Sequence, residues 1–335
     1  MAALGRQTSF YHRLGFPWNR RSRVFGLTDT ILEGVMRIAA GLCIALMLAP
    51  TAALAAKDVP AVVAVADRAV ARRLQFFVPQ TQIDTNIEVG RVASDSYGGG
   101  LIGALIIQSM DDKRETMSRS LHERAEATVK PLREALRTFD VDGLALATTR
   151  AGVTKTEWFQ AQDIIAAKDP SLQARAAFLD ASATPQVAFI TYRYDLSQDF
   201  TYIRVIADIA LVRKPVRSGT ERPSLPEPFY AQSISSIVQL RSPSYEHGEN
   251  VARWSADDGK LAKASLTAAF SQIERLIPYA LGLGPSEIKL YTAKNRPKAF
   301  GAGFYGPLIE KDGGGPGGTL LWSNGLIYVQ PAPAL

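Results

Sequence analysis

Cysteine is nearly absent from this chain: the only one, Cys43, lies in an apolar run near the start. With that segment removed no thiol remains, so a disulfide framework, a thiolate metal site and a cysteine nucleophile are all excluded. Histidine is as scarce, with His12, His122 and His247 making up the whole complement. Neither His122 nor His247 has a second histidine or a carboxylate at metal-ligand spacing, so no metal and no cofactor is expected. Also missing is any uncharged apolar run of about 20 residues, the length a membrane-spanning helix needs. Finally, there is little excess charge. The formal net charge is +6, but residues 1–55 hold six arginines against Asp29 and Glu33, which leaves +2 for the remainder. A balance that small gives no reason to expect nucleic acid as a partner.

A leader is present. From Met36, Arg37 supplies a positive start, Ile38 to Ala49 is uncharged and apolar, and Pro50 ends the run. Ala53-Leu54-Ala55 is then a small-x-small signal that predicts cleavage before Ala56. Residues 36–55 therefore read as a secretory signal peptide, and the mature chain as an exported protein of the periplasm or cell envelope. The competing reading is an anchoring helix, but that would not need the alanine box. Residues 1–35 form a basic extension, and two accounts stand: translation starts at Met36, or Arg20-Arg21 belong to a twin-arginine signal. The weak pattern after that pair favours the general secretory route.

The mature part keeps about 280 residues, enough for a sizeable core, and 47% of the whole chain is apolar. Strands are expected at Ala61–Ala66, Leu74–Val78, Gln82–Val89, Gly143–Thr149, Ala231–Leu240 and Glu287–Thr292. Gln186–Leu196 and Phe200–Arg213 read as an antiparallel hairpin, because Val187, Phe189, Thr191 and Arg193 alternate with Ala188, Ile190, Tyr192 and Tyr194. A long helix is expected up to Phe139, with Met110, Met117, Leu121, Ala125, Val129, Leu132, Leu136 and Phe139 on one face and Pro131 marking a kink or a fresh start. Lys155–Lys168 and Ser171–Asp180 read as helices. Ser244–Leu281 reads as a second long helix with Trp254, Leu261, Phe270, Ile273, Ile277 and Leu281 on its apolar face and Asp257-Asp258 at an internal start. Lys214–Pro228, with four prolines, is a loop. Gly301–Gly318, with eight glycines and two prolines, reads as a flexible loop. Asn324-Gly325 between two apolar runs signals a terminal hairpin over 319–335. The fold class is thus α+β: a domain over 57–300, its sheet mostly antiparallel with two long helices on one face, followed by the glycine-rich loop and the C-terminal β-hairpin.

Motifs for chemistry are incomplete. Gly301-Ala302-Gly303-Phe304-Tyr305-Gly306 spells G-x-G-x-x-G, yet Pro307 and more glycines follow where a dinucleotide site needs a helix. Ser286-Glu287-Ile288-Lys289 spells S-x-x-K, but its companion motifs are missing and the segment reads as a strand. Asp111-Asp112 and Asp257-Asp258 are adjacent pairs, not acids facing each other across a substrate. The most distinctive stretch is Tyr97 to Ile107, where Gly99 and Gly103 form G-x-x-x-G. Its apolar run is too short to span a membrane. It reads as a close packing contact, with two alternatives: an oligomer contact, or a membrane-inserting zipper.

Gly98–Ile107 followed by a charged helix with Pro131-Leu132, the hairpin Tyr192–Val212 and the helix Trp254–Leu281 together resemble exported proteins of Gram-negative bacteria with no assigned function. That resemblance implies an envelope location and adds no catalytic residue. The sequence therefore predicts a non-enzymatic envelope protein with a binding, assembly or structural role, partnered by another envelope protein or by itself. Two alternatives stay open: a hydrolase or transferase using serine and carboxylates, and an oligomer that contacts membranes through Gly99 and Gly103.

Overall fold

The computed structural model describes residues 61–85, 123–215, 225–311 and 317–334. The chain divides into two units, Met1–Ala55 and Ala56–Leu335, and every described residue belongs to the second. That unit is built on a ten-stranded sheet in the order β3-β1-β4-β5-β6-β10-β9-β8-β7, with β2 beside β4. The strands are β1 (Arg72–Phe77), β2 (Asp84–Thr85), β3 (Ala161–Ala167), β4 (Gln186–Leu196), β5 (Tyr202–Arg213), β6 (Tyr230–Gln239), β7 (Lys298–Gly301), β8 (Phe304–Lys311), β9 (Thr319–Trp322) and β10 (Leu326–Pro331). The helices are α1 (Val65–Arg68), α2 (residues 123–136), α3 (Val141–Thr154), α4 (Leu172–Ala181), α5 (His247–Gly282) and α6 (Pro285–Tyr291).

The sheet is mixed, with an antiparallel majority. The hairpin β4–β5 extends antiparallel to β6, in the register Tyr192–Ala207–Ile234. At one end β3, β1 and β4 run parallel. At the other end β10 pairs parallel with β6 and antiparallel with β9. The terminal hairpin is therefore part of the main sheet, not an appendage to it.

Both expected helices pack where the patterning puts them as far as they are described; Met110, Met117 and Leu121 of the first lie outside the described residues. Ala125, Val129 and Leu132 of α2 are buried, with Leu136 and Phe139 half-buried against the same core. On α5 the buried series Trp254, Ala262, Leu266, Phe270, Ile273, Ile277 and Leu281 recurs at helical spacing. These helices and α3 cover one face, over Ile190, Tyr192, Ala207, Ile209 and Ile234. Gly152 lets α3 lie against α5, since a Cβ there would sit 2.9 Å from Ile277 Cδ1. Asp257, Asp258 and Gly259 all have positive φ (50°, 56° and 69°) and break α5 into two limbs at the expected place. Helix α4 packs on the opposite face, where Leu179 meets Phe77, Val187, Phe189 and Val212. Both crossovers account for this. The chain passes from β1 to β3 in one direction and from β3 to β4 in the other, and the right-handed connections that parallel strands favour would place their helices on opposite faces, where they are found.

Several expected elements are corrected. Val65–Arg68 is a short helix where a strand was expected, and the first strand starts at Arg72. Of the strand expected at Gln82–Val89 only Asp84–Thr85 is a strand among the described residues. Gly143–Thr149 lies inside α3: Asp140 caps that helix by accepting from the Gly143 amide at 2.8 Å, and an alanine-rich apolar run suits a buried helix as well as a strand. Within Lys155–Lys168, where a helix was expected, Ala161–Ala167 is instead strand β3, an edge strand whose exposed positions are Gln162, Asp163 and Ala166. Glu287–Thr292 is mostly helix α6, started by Pro285 at its first turn. In the glycine-rich stretch, 298–311 is the hairpin β7–β8, turned at Ala302-Gly303. Gly306 lets β8 approach β9, because a Cβ there would meet the Trp322 carbonyl at 2.2 Å. Residue 131 is helical without a break in α2.

The amino edge of β1 is fixed by a buried cation. Arg72 is 0% exposed, stacked on Trp158 and Phe159. It donates to the Asp67 carbonyl at 2.8 Å and to Gln186 Oε1 at 2.9 Å. Burial pulls its pKa down to about 10 against the opposing charge of Asp67, so it remains a cation at neutral pH.

Candidate functional site: a crevice at the strand ends

Where neighbouring parallel strands send their following helices to opposite faces, a crevice opens beyond their carboxyl ends. Strands β1 and β3 are such a pair, since the chain leaving β1 reaches α2 and α3 while the chain leaving β3 enters α4. The crevice is there. A cavity of about 470 Å³ lies among Gln80–Ile83 after β1, Lys168 after β3, Tyr194 of β4, the end of α2, the start of α3 and the turn between them. That size suits a small ligand.

Its walls are fastened. Pro79 cannot continue the ladder of β1, so the Gln80 side chain takes over: its carbonyl accepts from the Tyr194 amide at 2.9 Å and its amide donates to the Tyr194 carbonyl at 3.0 Å. The same amide donates to Asp84 at 2.5 Å, bridging β1 to β2 along the edge of β4. From the helical side Arg133 donates to the Ile83 carbonyl at 3.0 Å and grips Glu126 with both terminal nitrogens. A forked guanidinium held this way has little rotational freedom. Asp142, in the first turn of α3, pairs with Lys168 at 2.7 Å across the mouth.

Three cations (Arg133, Arg137, Lys168) and three carboxylates (Glu134, Asp140, Asp142) line the cavity, alongside Leu136 and Phe139. Tyr194 is 4% exposed. Burial, then the charges of Asp142 and Asp84, push its phenol up to about 12. It stays protonated at neutral pH, so its hydroxyl can donate a hydrogen bond but does not ionise there. Arg137 pairs with Glu134, Lys168 with Asp142 and Arg133 with Glu126, so the lining presents little unpaired charge.

No known protein family, curated protein or solved structure matches this chain.

The residues singled out by sequence do not meet in this crevice. Ala53, Ala55, Ala56, Gly99, Gly103, His122 and Asp111-Asp112 lie outside the described residues. His247 opens α5, exposed, with its ring edge-on to Phe200 at 5.8 Å. Ser286 and Lys289 are exposed on α6. The G-x-G-x-x-G stretch is the β7–β8 turn with a strand after it, not the helix that a dinucleotide motif needs. Among the described residues no group of three or more His, Cys, Asp and Glu side chains is placed to hold a metal, and no helix is long and apolar enough to cross a membrane. The crevice residues had weaker signals. Asp140-Val141-Asp142-Gly143 is a helix-start pattern, and Pro79 and Pro170 each follow a strand end.

Proposed function

We propose that the chain is an exported, non-catalytic binding protein of the cell envelope, holding a small polar ligand in the crevice beyond β1 and β3. The observation that carries the binding half is the pre-fastened crevice where the β1 and β3 connections diverge. Export rests on the arginine, the apolar run and the alanine box of residues 36–55. The test is fractionation of a Gram-negative host with N-terminal sequencing of the recovered protein. Recovery from the periplasm with Ala56 first supports the proposal, and uncleaved chain in the cytoplasm contradicts it. Turnover of an envelope substrate by the purified protein, lost on a point change, would overturn the non-catalytic half.

A further inference from the structure

The face of the sheet away from α5 is apolar at two places with a polar interval between them. One apolar patch is Phe77, Val187, Phe189 and Val212 under Leu179 of α4. The other is Ile237, Leu321, Ile327 and Val329, joined by Phe304 and Leu308 of β8. Between them Thr191, Asp208 and Ser233 form one cross-strand row over β4, β5 and β6. A groove of about 640 Å³ lies over this row, and Arg175 of α4 and Asn324 of the last turn also line it.

Arg193 pairs with Asp208 at 2.6 Å. Arg175 is different: among the described residues no carboxylate lies within ion-pair distance of it. Its guanidinium lies over the rings of Phe77 and Phe189, at 5.0 and 5.5 Å. Nη2 donates to Thr191 Oγ1 at 2.7 Å, and the buried Nε has no partner. Burial draws its pKa down, with Asp208 opposing, in keeping with a cation short of counter-charge. The guanidinium is intrinsically planar and presents its donors in a fixed fork that matches a carboxylate. The cost of a half-buried cation without an anion is offset when an anion arrives.

We propose that Arg175 is the carboxylate anchor of a second ligand site, in which a small organic acid lies along the Thr191–Asp208–Ser233 row. Two strand spacings separate β4 from β6, about 10 Å, so the ligand carries polar groups over that length. Asp208 beside the anchor suits an amine on the same ligand.

The test is calorimetric titration of the purified protein with succinate, glutamate and inorganic phosphate at matched ionic strength. At least one carboxylate binds, Arg175→Met weakens it tenfold or more, and Arg175→Lys weakens it too because an ammonium has no fork. Glutamate binding more tightly than succinate places the amine at Asp208. Arg175→Met also serves if it lowers stability, because the wild-type Arg175 Nε–H resonance must move on titration. The crevice variant Lys168→Ala leaves this binding unchanged, which separates it from the crevice reading. No binding by either carboxylate, binding by phosphate alone, an unmoved Nε–H resonance, or equal loss in Lys168→Ala overturns the proposal.

Discussion

The two faces of the sheet are built to different rules. Under α2, α3 and α5 the even-numbered residues of β4 from Ala188 onward make one apolar floor: Ala188, Ile190, Tyr192, Tyr194 and Leu196 all join the main core. On the reverse face the odd-numbered series runs Val187, Phe189, then Thr191, Arg193 and Asp195, so the same strand passes from core to groove within a few residues. One face carries most of the cohesion, and the other gives some up to keep polar groups accessible. The crevice sits at the rim where the two faces meet, and the loops after β1 and β3 reach both: Gln80 and Lys168 line the crevice, while Pro79 and Pro170 line the groove.

This contrast can be broken at its strongest point first. Trp254 is 0% exposed, and its indole N–H donates to the Phe200 carbonyl at 2.8 Å. Trp254→Ala loses the packing and leaves that carbonyl unsatisfied, and urea denaturation should register a loss of about 3–5 kcal/mol. Leu179→Ala, in the smaller patch under α4, should cost about 2 kcal/mol in the same assay, the low end for a buried leucine because the patch lies near the surface. Tyr192→Phe removes a buried hydroxyl 2.8 Å from Thr149 and should cost about 1–2 kcal/mol, the penalty for a partner left unpaired. Arg193→Ala on the groove floor breaks a pair whose side chains are 53% and 40% exposed, and should change stability by less than about 1 kcal/mol. Equal losses at Trp254 and Arg193 would dissolve the distinction between the faces.

Much of the cohesive face was legible in the sequence, because burial imposes a period. Helix α5, its break at Asp257–Gly259, the β4–β5 hairpin and the Asn324-Gly325 turn all follow from spacing or turn chemistry. Short apolar segments were not legible: Gly143–Thr149 and Ala161–Ala167 exchange helix for strand because alanine and isoleucine runs of this length fit either. The sites were hidden for another reason. Gln80 meets Tyr194 across 114 residues of chain, and Lys168 meets Asp142 only because β3 runs parallel beside β1. In sequence these are ordinary surface charges. Arg175 likewise looks like a solvated helix residue until two strands bring Phe77 and Phe189 beneath it.

The smallest expected effect is a pH slope. Burial pushes the Asp195 carboxyl above its ordinary value even though Arg204 grips it at 2.9 Å. From about pH 4 up to the raised value the native state keeps a proton that the unfolded chain has released, so stability falls as pH rises through that window. Asp199 has the opposite sign. Burial acts to raise it, but hydrogen bonds from Ser197 and Thr201 outweigh that and hold it below the ordinary value. Its contribution is present above about pH 4 and is lost as pH falls through its native pKa. Asp195→Asn should flatten the first slope and leave the second, as measured by thermal unfolding across the acid range.

Chemical-shift mapping reads directly whether the proposed ligand enters the crevice beyond β1 and β3. A labelled sample is titrated with a set of uncharged and zwitterionic polar fragments. The account predicts the largest shifts at Gln82, Asp142, Gly143 and Tyr194, and their suppression in Asp142→Ala. Fragment binding that leaves these four amides unmoved while shifting residues elsewhere, or binding unchanged in Asp142→Ala, would contradict it.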